Sequence, residues 1–178
     1  MTGYAIETIT GGGVRDAIAD LVALLQDAVE SNASVGYVLP LADGELEAFW
    51  HEVALDIDDG LRHLLVVREQ DRIVGTVILA PATKSNQAHR AEVQKLLVMR
   101  AARHRGIGEA LMRRVEMLAT TLGRWLLTLD TRATSDAERL YSRCGYAVAG
   151  SIPDYATDPD RRFAACTFFY KSLQRPEP

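Results

Sequence analysis

The segment Arg103-His-Arg-Gly-Ile-Gly108 has the residue types and order of a built anion site. It lies between a β-rich run ending near Met99 and a helical pattern that starts at about Gly106. Glycines at a strand-to-helix turn let backbone approach a ligand, and the first amides of the helix face outward with the positive end of its dipole. Arg100, Arg103, His104 and Arg105 add charge, so a diphosphate is the expected ligand. The chain has no Gly-Lys-Ser/Thr for a P-loop and the string is not Gly-x-Gly-x-x-Gly, which sets aside triphosphate and dinucleotide sites. Without its flanks, the string reads only as an exposed basic turn with a helix-opening glycine.

Other groups able to do chemistry are Glu92, between Ala91 and Val93, and Asp130, which ends Trp125-Leu-Leu-Thr-Leu-Asp130. Both are carboxylates on short apolar runs and both could accept a proton. On spacing alone they are equally an ordinary polar strand position and a loop-capping aspartate, and Tyr141 beside Leu140 is equally a core tyrosine. His51, His63, His89 and His104 show no zinc-type spacing with Cys144 and Cys166, so no metal is expected.

Periodicity supplies the elements that must hold these groups. Ile18, Leu21, Val22, Leu25 and Val29 mark one amphipathic helix, and Leu46, Phe49, Trp50, Val53 and Ile57 a second that Gly60 is placed to stop. The loop Ser31-Asn-Ala-Ser-Val-Gly-Tyr37 joins them. Leu64–Arg68 and Ile73–Leu79 form a hairpin across Glu69-Gln-Asp-Arg72, and Ala91–Met99 is a third β run. A helix over 107–122, a short strand over 125–130 and a helix from the capping box Ser135/Glu138 to Cys144 follow, with Gly145 as its stop. Tyr146–Ala149 and Phe163–Tyr170 are the last strands, around a long loop containing Pro153, Asp154, Asp158, Pro159 and Asp160. No repeat or linker interrupts the chain, so residues 1–178 are expected to fold as one α/β domain on a single mixed sheet.

At 48% hydrophobic and 25% charged residues the chain has globular composition, and its formal charge of -4 argues against nucleic-acid or anionic-membrane partners. That average hides a split: residues 1–60 hold one basic residue, Arg15, against twelve acids, and the remainder holds nineteen basic residues against twelve acids. Charge runs are usually solvated faces; carboxylates lining a site would instead attract a cationic amine. Two cysteines, no signal-peptide pattern and no apolar stretch near the roughly 20 residues of a membrane span make a reduced cytoplasm the expected location.

The string Arg103-x-x-Gly106-x-Gly108, after Val93-Gln-Lys-Leu-Leu-Val98 and before a helix, resembles the acetyl-CoA signature of the GNAT-type N-acetyltransferases. Ala137-Glu-Arg-Leu-Tyr-Ser-Arg-Cys-Gly-Tyr146 resembles the family's Ala-x-x-Leu-Tyr-x-x-x-Gly-Phe/Tyr helix. Ala33–Tyr37, Arg90–Leu96, Leu129-Asp-Thr131 and Tyr155-x-Thr-x-Pro-Asp160 resemble the tabtoxin-resistance branch of that superfamily, whose substrate is a β-lactam amino-acid toxin. The resemblance implies a mixed sheet splayed between strands 4 and 5, flanking helices, and acetyl-CoA held along Leu96, Leu97, Val98, Arg103, His104, Arg105, Gly106, Ile107, Gly108, Glu109, Thr134 and Ala137. It departs from the common pattern at Arg100 (proline), His104 (glycine) and Thr134 (asparagine).

Acetyl transfer needs a neutral amine, and a lysine-like amine of pKa about 10.4 carries a handicap of about 4.6 kcal/mol at pH 7. The resemblance places Glu92 and Asp130 near the acetyl group as alternative bases and Tyr141 as the acid that protonates the thiolate. A backbone N–H of Leu97 or Val98 is the expected oxyanion donor. Cys144 lies one turn beyond Tyr141 without a partner histidine, which favours direct transfer over an acetyl-cysteine. Ser34 and Tyr37 are expected substrate contacts. The expected acceptor is a small amine or amino acid. A protein N-terminal or lysine acetyltransferase is the runner-up, and a non-catalytic acyl-CoA-binding module the reading of another class. The sequence leaves oligomeric state open, and a homodimer is compatible with it.

Overall fold

The computed structural model describes residues 4–175. Its elements run β1 (Ala5–Ile9), α1 (Gly11–Asp16), α2 (Ile18–Glu30), α3 (Glu45–Asp58), β2 (His63–Glu69), β3 (Arg72–Pro81), β4 (Arg90–Val98), α4 (Ile107–Thr121), β5 (Leu126–Arg132), α5 (Asp136–Arg143), β6 (Ala147–Thr157) and β7 (Phe163–Ser172). They build a seven-stranded sheet of order β1-β2-β3-β4-β5-β7-β6. Strand alternation sends Leu65, Val67, Val77, Leu79, Ala91, Val93, Leu127 and Leu129 to a core shared with α4. Leu64, Val66 and Ile78 go to a second core under α1, α2 and α3.

All neighbouring strands are antiparallel except β4 and β5, which pair in parallel through only Arg90↔Leu126, Ala91↔Leu127 and Glu92↔Thr128. Beyond Glu92 and Thr128 the two strands continue to Val98 and Arg132 without pairing, so a gap opens between them. A bulge accompanies the divergence. Against β3, Ile78 faces Gln94 but Thr76 faces Leu97, leaving one extra residue on β4, with Lys95 at φ 48° and its carbonyl accepting from Thr76 Oγ1 at 3.0 Å. The expected splay between strands 4 and 5 is therefore met.

Three expectations fail locally. The short β1 and α1 carry little periodicity: β1 is a mostly exposed edge strand of five residues, and α1 opens with three glycines, which disfavour helix. The Thr10 side chain accepts from Gly13 N and Val14 is buried, which together hold α1. β6 runs through Pro153 and Asp154 instead of ending at Ala149. Its register on β7 jumps between Ile152 and Ala156, with Asp154 at φ 51°, so the proline sits in an irregularity of an edge strand, where no ladder hydrogen bond is lost. The capping box is not formed either: Ser135 stands at the N-cap of α5 without a side-chain cap bond. The acids Asp136 and Glu138 in the first turn favour that helix end through its dipole.

Candidate active site

Glu92 and Asp130 lie on the two strands that border the gap, and alternation points both away from the α4 core, toward the layer of α1 to α3. Both reach solvent, Asp130 with part of its carboxyl shielded. Loss of water around the Asp130 carboxyl, then the Glu92 charge, hold its pKa above the ordinary aspartate value, with Lys95 pulling the other way. Tyr141 approaches from the opposite face. It is buried on α5, with ring centroids 6.1 Å from Tyr146 and 5.9 Å from Phe169. Burial first, then the charge of Asp130, keep its phenol protonated far above the ordinary range.

The two edges of β4 separate the N–H groups of Leu97 and Val98. Met99 N donates to Val74 O at 2.9 Å, and Leu97 faces Thr76 in the same ladder, so their N–H groups turn toward β3. Strand geometry then turns the Val98 N–H to the opposite edge, into the gap. The Leu97 N–H thus faces β3 and its side chain sits in the second core, whereas Leu96 and Val98 pack toward α4.

Between β4 and α4 the chain makes a short 3-10 turn, then holds Arg103 extended, His104 at φ 62° and Gly106 at φ 79° as the N-cap of α4. No side chain caps α4, which leaves the first-turn amides of Ile107, Gly108 and Glu109 for a ligand anion. His104 adopts the left-handed conformation for which glycine is favoured, and so does Thr134, at φ 61° before α5. A Cβ on Gly108 would lie 3.1 Å from Leu140 Cδ2, so this glycine also admits α5 against α4. Ala137, on α5, packs on the α4 core, and Ser135 Oγ beside it is buried without a partner. An open helix terminus, an orphaned hydroxyl and a splayed strand pair fit acetyl-CoA.

The arginines are less free than their sequence suggests. Asp27 accepts from Arg100 N at 2.9 Å and Arg100 Nε at 2.7 Å, and Glu30 lies 3.5 Å from the same guanidinium. Arg105 forks onto Glu69 at 2.6 and 3.1 Å, and Arg113 pairs with Glu109 one turn away. Arg103 differs. Its bonds go to neutral oxygens, Val98 O and Ser31 Oγ, both at 3.1 Å, and it keeps an uncompensated charge beside the α4 terminus.

On the other face the structure adds a residue that sequence reasoning missed. Lys95 Nζ donates to Val35 O at 3.0 Å and lies 5.0 Å from the Phe49 ring centroid. Phe49 meets Tyr37 edge-on at 6.3 Å, which brings Tyr37 to this side. Burial, then Arg62, lower the Lys95 pKa, while Asp130 and Glu92 act in the opposite sense. Burial and the charges of Glu45 and Glu52 raise that of Tyr37. Ser34 is half-buried in the same loop, next to Val35. The available signal was a lysine at a position that strict alternation assigns to the apolar face with Ala91 and Val93.

Two loops meet over this face. The loop after α2 touches β4 through Lys95 and Val35, and the turn after β6 is tied to β5 by Arg132 and the buried Asp158, 2.8 Å apart. Leu39 N donates to Pro159 O at 2.8 Å, and Arg161 Nε to Leu39 O at 3.1 Å. This chain of contacts forms an arch from β4 to β5, the two strands that border the gap. Cys144 and Cys166 are unpaired, and burial raises both thiol pKa values, which disfavours a thiolate nucleophile. Among the described residues no group of three or more His, Cys, Asp or Glu could hold a metal ion, and no helix is long and apolar enough to cross a membrane.

Comparison with known proteins gives a consistent result. Residues 60–148 match the acetyltransferase (GNAT) domain. Among solved structures, a ribosomal-protein-alanine N-acetyltransferase from Brucella melitensis is 23% identical with a TM-score of 0.77, covering 95% of this chain and 99% of its own. An N-acetyltransferase from Staphylococcus aureus Mu50 is 17% identical with a TM-score of 0.78, covering 97% and 100%. The yncA structure from Salmonella typhimurium, with its cofactor acetyl-CoA, is 17% identical with a TM-score of 0.76, covering 99% and 98%.

Proposed function

Since the chain belongs to the GNAT acetyltransferases and takes acetyl-CoA as its cosubstrate, we propose that it acetylates the amino group of a small molecule, an amine or amino acid, by direct transfer within one domain. The observation that carries the small-acceptor reading is the arch from Lys95 through Val35, Leu39 and Pro159 to Asp158 and Arg132. It links β4 to β5 through two loops on the side that Glu92 and Asp130 face, which favours a small acceptor over an extended peptide. The likeness of the 33–37, 90–96 and 155–160 segments to the tabtoxin-resistance branch supports the same substrate class and a role in toxin resistance in the cytoplasm.

Asp130 is the base. Its raised pKa brings it closer to neutrality than an ordinary aspartate, and Glu92 both maintains that shift and draws in the ammonium form of the acceptor. The proton leaves the amine for Asp130, the freed lone pair attacks the thioester carbon, and the carbonyl oxygen takes up the charge. The Val98 N–H is the donor left to meet it. As the intermediate collapses the carbonyl re-forms and the C–S bond breaks, Tyr141 gives its proton to the departing thiolate, and the second proton leaving the nitrogen restores the phenol through solvent. Arg103, with the α4 amides of Ile107, Gly108 and Glu109, holds the diphosphate. The test is thiol release from acetyl-CoA across a panel of amines, amino acids and tetrapeptides. Release should require both substrates and favour the small acceptors by at least about tenfold. Equal or faster acetylation of the peptides would transfer the assignment to protein substrates.

A further inference from the structure

We propose that the Lys95 ammonium binds a carboxylate of the acceptor, so that the substrate is an amino acid whose amine faces Glu92 and Asp130 while its acid group takes the place of the Val35 carbonyl. The proposal rests on the acetyl-transfer reading and narrows its substrate class.

Three observations converge. First, the bulge on β4 turns a residue that alternation would bury under α4 into the acceptor side, where it packs between Phe49 and the 31–37 loop. Second, among the described residues no carboxylate lies within ion-pair distance of Lys95, whereas Lys171 and most of the arginines are paired. Its partners are one carbonyl dipole and one ring face, both neutral. A largely buried ammonium without a counter-ion is costly, and local violations of this kind collect where a ligand completes the pairing. Third, of the other cations on the arch Arg132 is spent on Asp158 and Arg161 donates to Leu39 O on the turn after β6, so that Lys95 alone among them shares a strand with Glu92. Glu92 and Asp130 supply the opposite charge on the same side, and together the three set both signs of charge where a zwitterion would need them. The lowered pKa of Lys95, caused first by burial, fits a cation that an arriving carboxylate would stabilise. An internal peptide residue has an amide in place of that acid and gains nothing there.

The experiment compares amino acids with their own amides and decarboxylated amines as acceptors, in the wild type, Lys95→Met, Lys95→Gln and Lys95→Arg. A charge-assisted hydrogen bond predicts kcat/KM higher for the acid than for its amide by roughly tenfold to a hundredfold in the wild type. In Lys95→Met and Lys95→Gln that ratio should fall to near one through KM for the acid, with the amide changed less than about threefold, and Lys95→Arg should recover part of it. A wild-type ratio of one or below, or a parallel loss for acid and amide in both neutral variants, overturns the proposal. If no acceptor releases thiol, the acetyl-transfer reading has failed, and calorimetry of the same acids and amides in the presence of CoA decides the subsite separately. Binding of the acid that weakens at least tenfold in the neutral variants supports it, and binding that is absent or unaffected sinks it.

Discussion

At the scale of single residues, the site divides a carboxylate from a phenol by environment. Asp130 sits in a partly dried position beside Glu92 and is raised, so the acid limb of kcat/KM should lie above the ordinary aspartate value of 3.8, rate being gained as the carboxyl loses its proton. Glu92→Gln removes the second-largest cause of the shift and should move that limb to lower pH, which a pH–rate profile reads directly. An unmoved limb would detach Asp130 from the rate. Tyr141 is held protonated and packed by Tyr146 and Phe169, contacts that phenylalanine keeps. Tyr141→Phe is therefore expected to lower kcat by about a hundredfold or more while leaving acetyl-CoA affinity and the melting temperature nearly unchanged. Glu92, Asp130 and Tyr141 were legible because their neighbours placed them on strand and helix. Lys95 was not, because an inserted residue reverses which face a strand position occupies, and no local pattern in Val93-Gln-Lys-Leu-Leu-Val98 announces it.

Elements with strong periodicity appear within one or two residues of their expected bounds, and those whose existence depends on tertiary contacts do not. α4 and the hairpin of β2 and β3 belong to the first kind: Gln70 and Asp71 both take positive φ, as a two-residue hairpin turn requires. α1 belongs to the second. Its glycines are against helix propensity, and space explains the first of them, since a Cβ on Gly11 would collide with Ala54 O and Asp58 of α3. The chain there is backbone-to-backbone with another helix, and neither period nor composition reveals that. Gly11→Ala should cost about 1–3 kcal/mol in urea unfolding. Gly12→Ala, which meets only Thr10 Oγ1 at 3.7 Å, should be close to neutral or mildly stabilising. Equal effects at the two positions would mean that helix propensity, not the α1–α3 approach, sets the requirement.

For the whole molecule, the acidic first third and the basic remainder turn out to be two sides of one set of ion pairs. Arg68 meets Glu7, Arg72 meets Asp20, Arg62 meets Glu52 and Asp56, and Arg100 meets Asp27 and Glu30. Counting charges along the chain suggested an amine-attracting half and a phosphate-attracting half. Folding cancels much of both, and among the charges left without an ion pair in the described residues are Arg103 beside the α4 terminus and Glu92, Asp130 and Lys95 on the strands that border the gap. Most of these pairs are exposed and contribute little each. Asp27 is the least exposed of these carboxylates, at 13%, and is bonded to both the backbone and the guanidinium of Arg100. Burial raises its pKa, but the hydrogen bonds from Arg100 outweigh that and leave it below the ordinary value of 3.8. A depressed carboxylate stabilises the fold above its unfolded pKa and loses that contribution as pH falls through the folded one. Asp27→Ala should therefore destabilise by about 1–2 kcal/mol near neutral pH, and the difference from wild type should close as pH drops below the usual aspartate range. Acetyl-CoA affinity should not fall in this variant, because Arg100 would be released beside the α4 anion site. A stability difference that persists unchanged at low pH would show that Asp27 acts through packing and that its pairing with Arg100 is incidental.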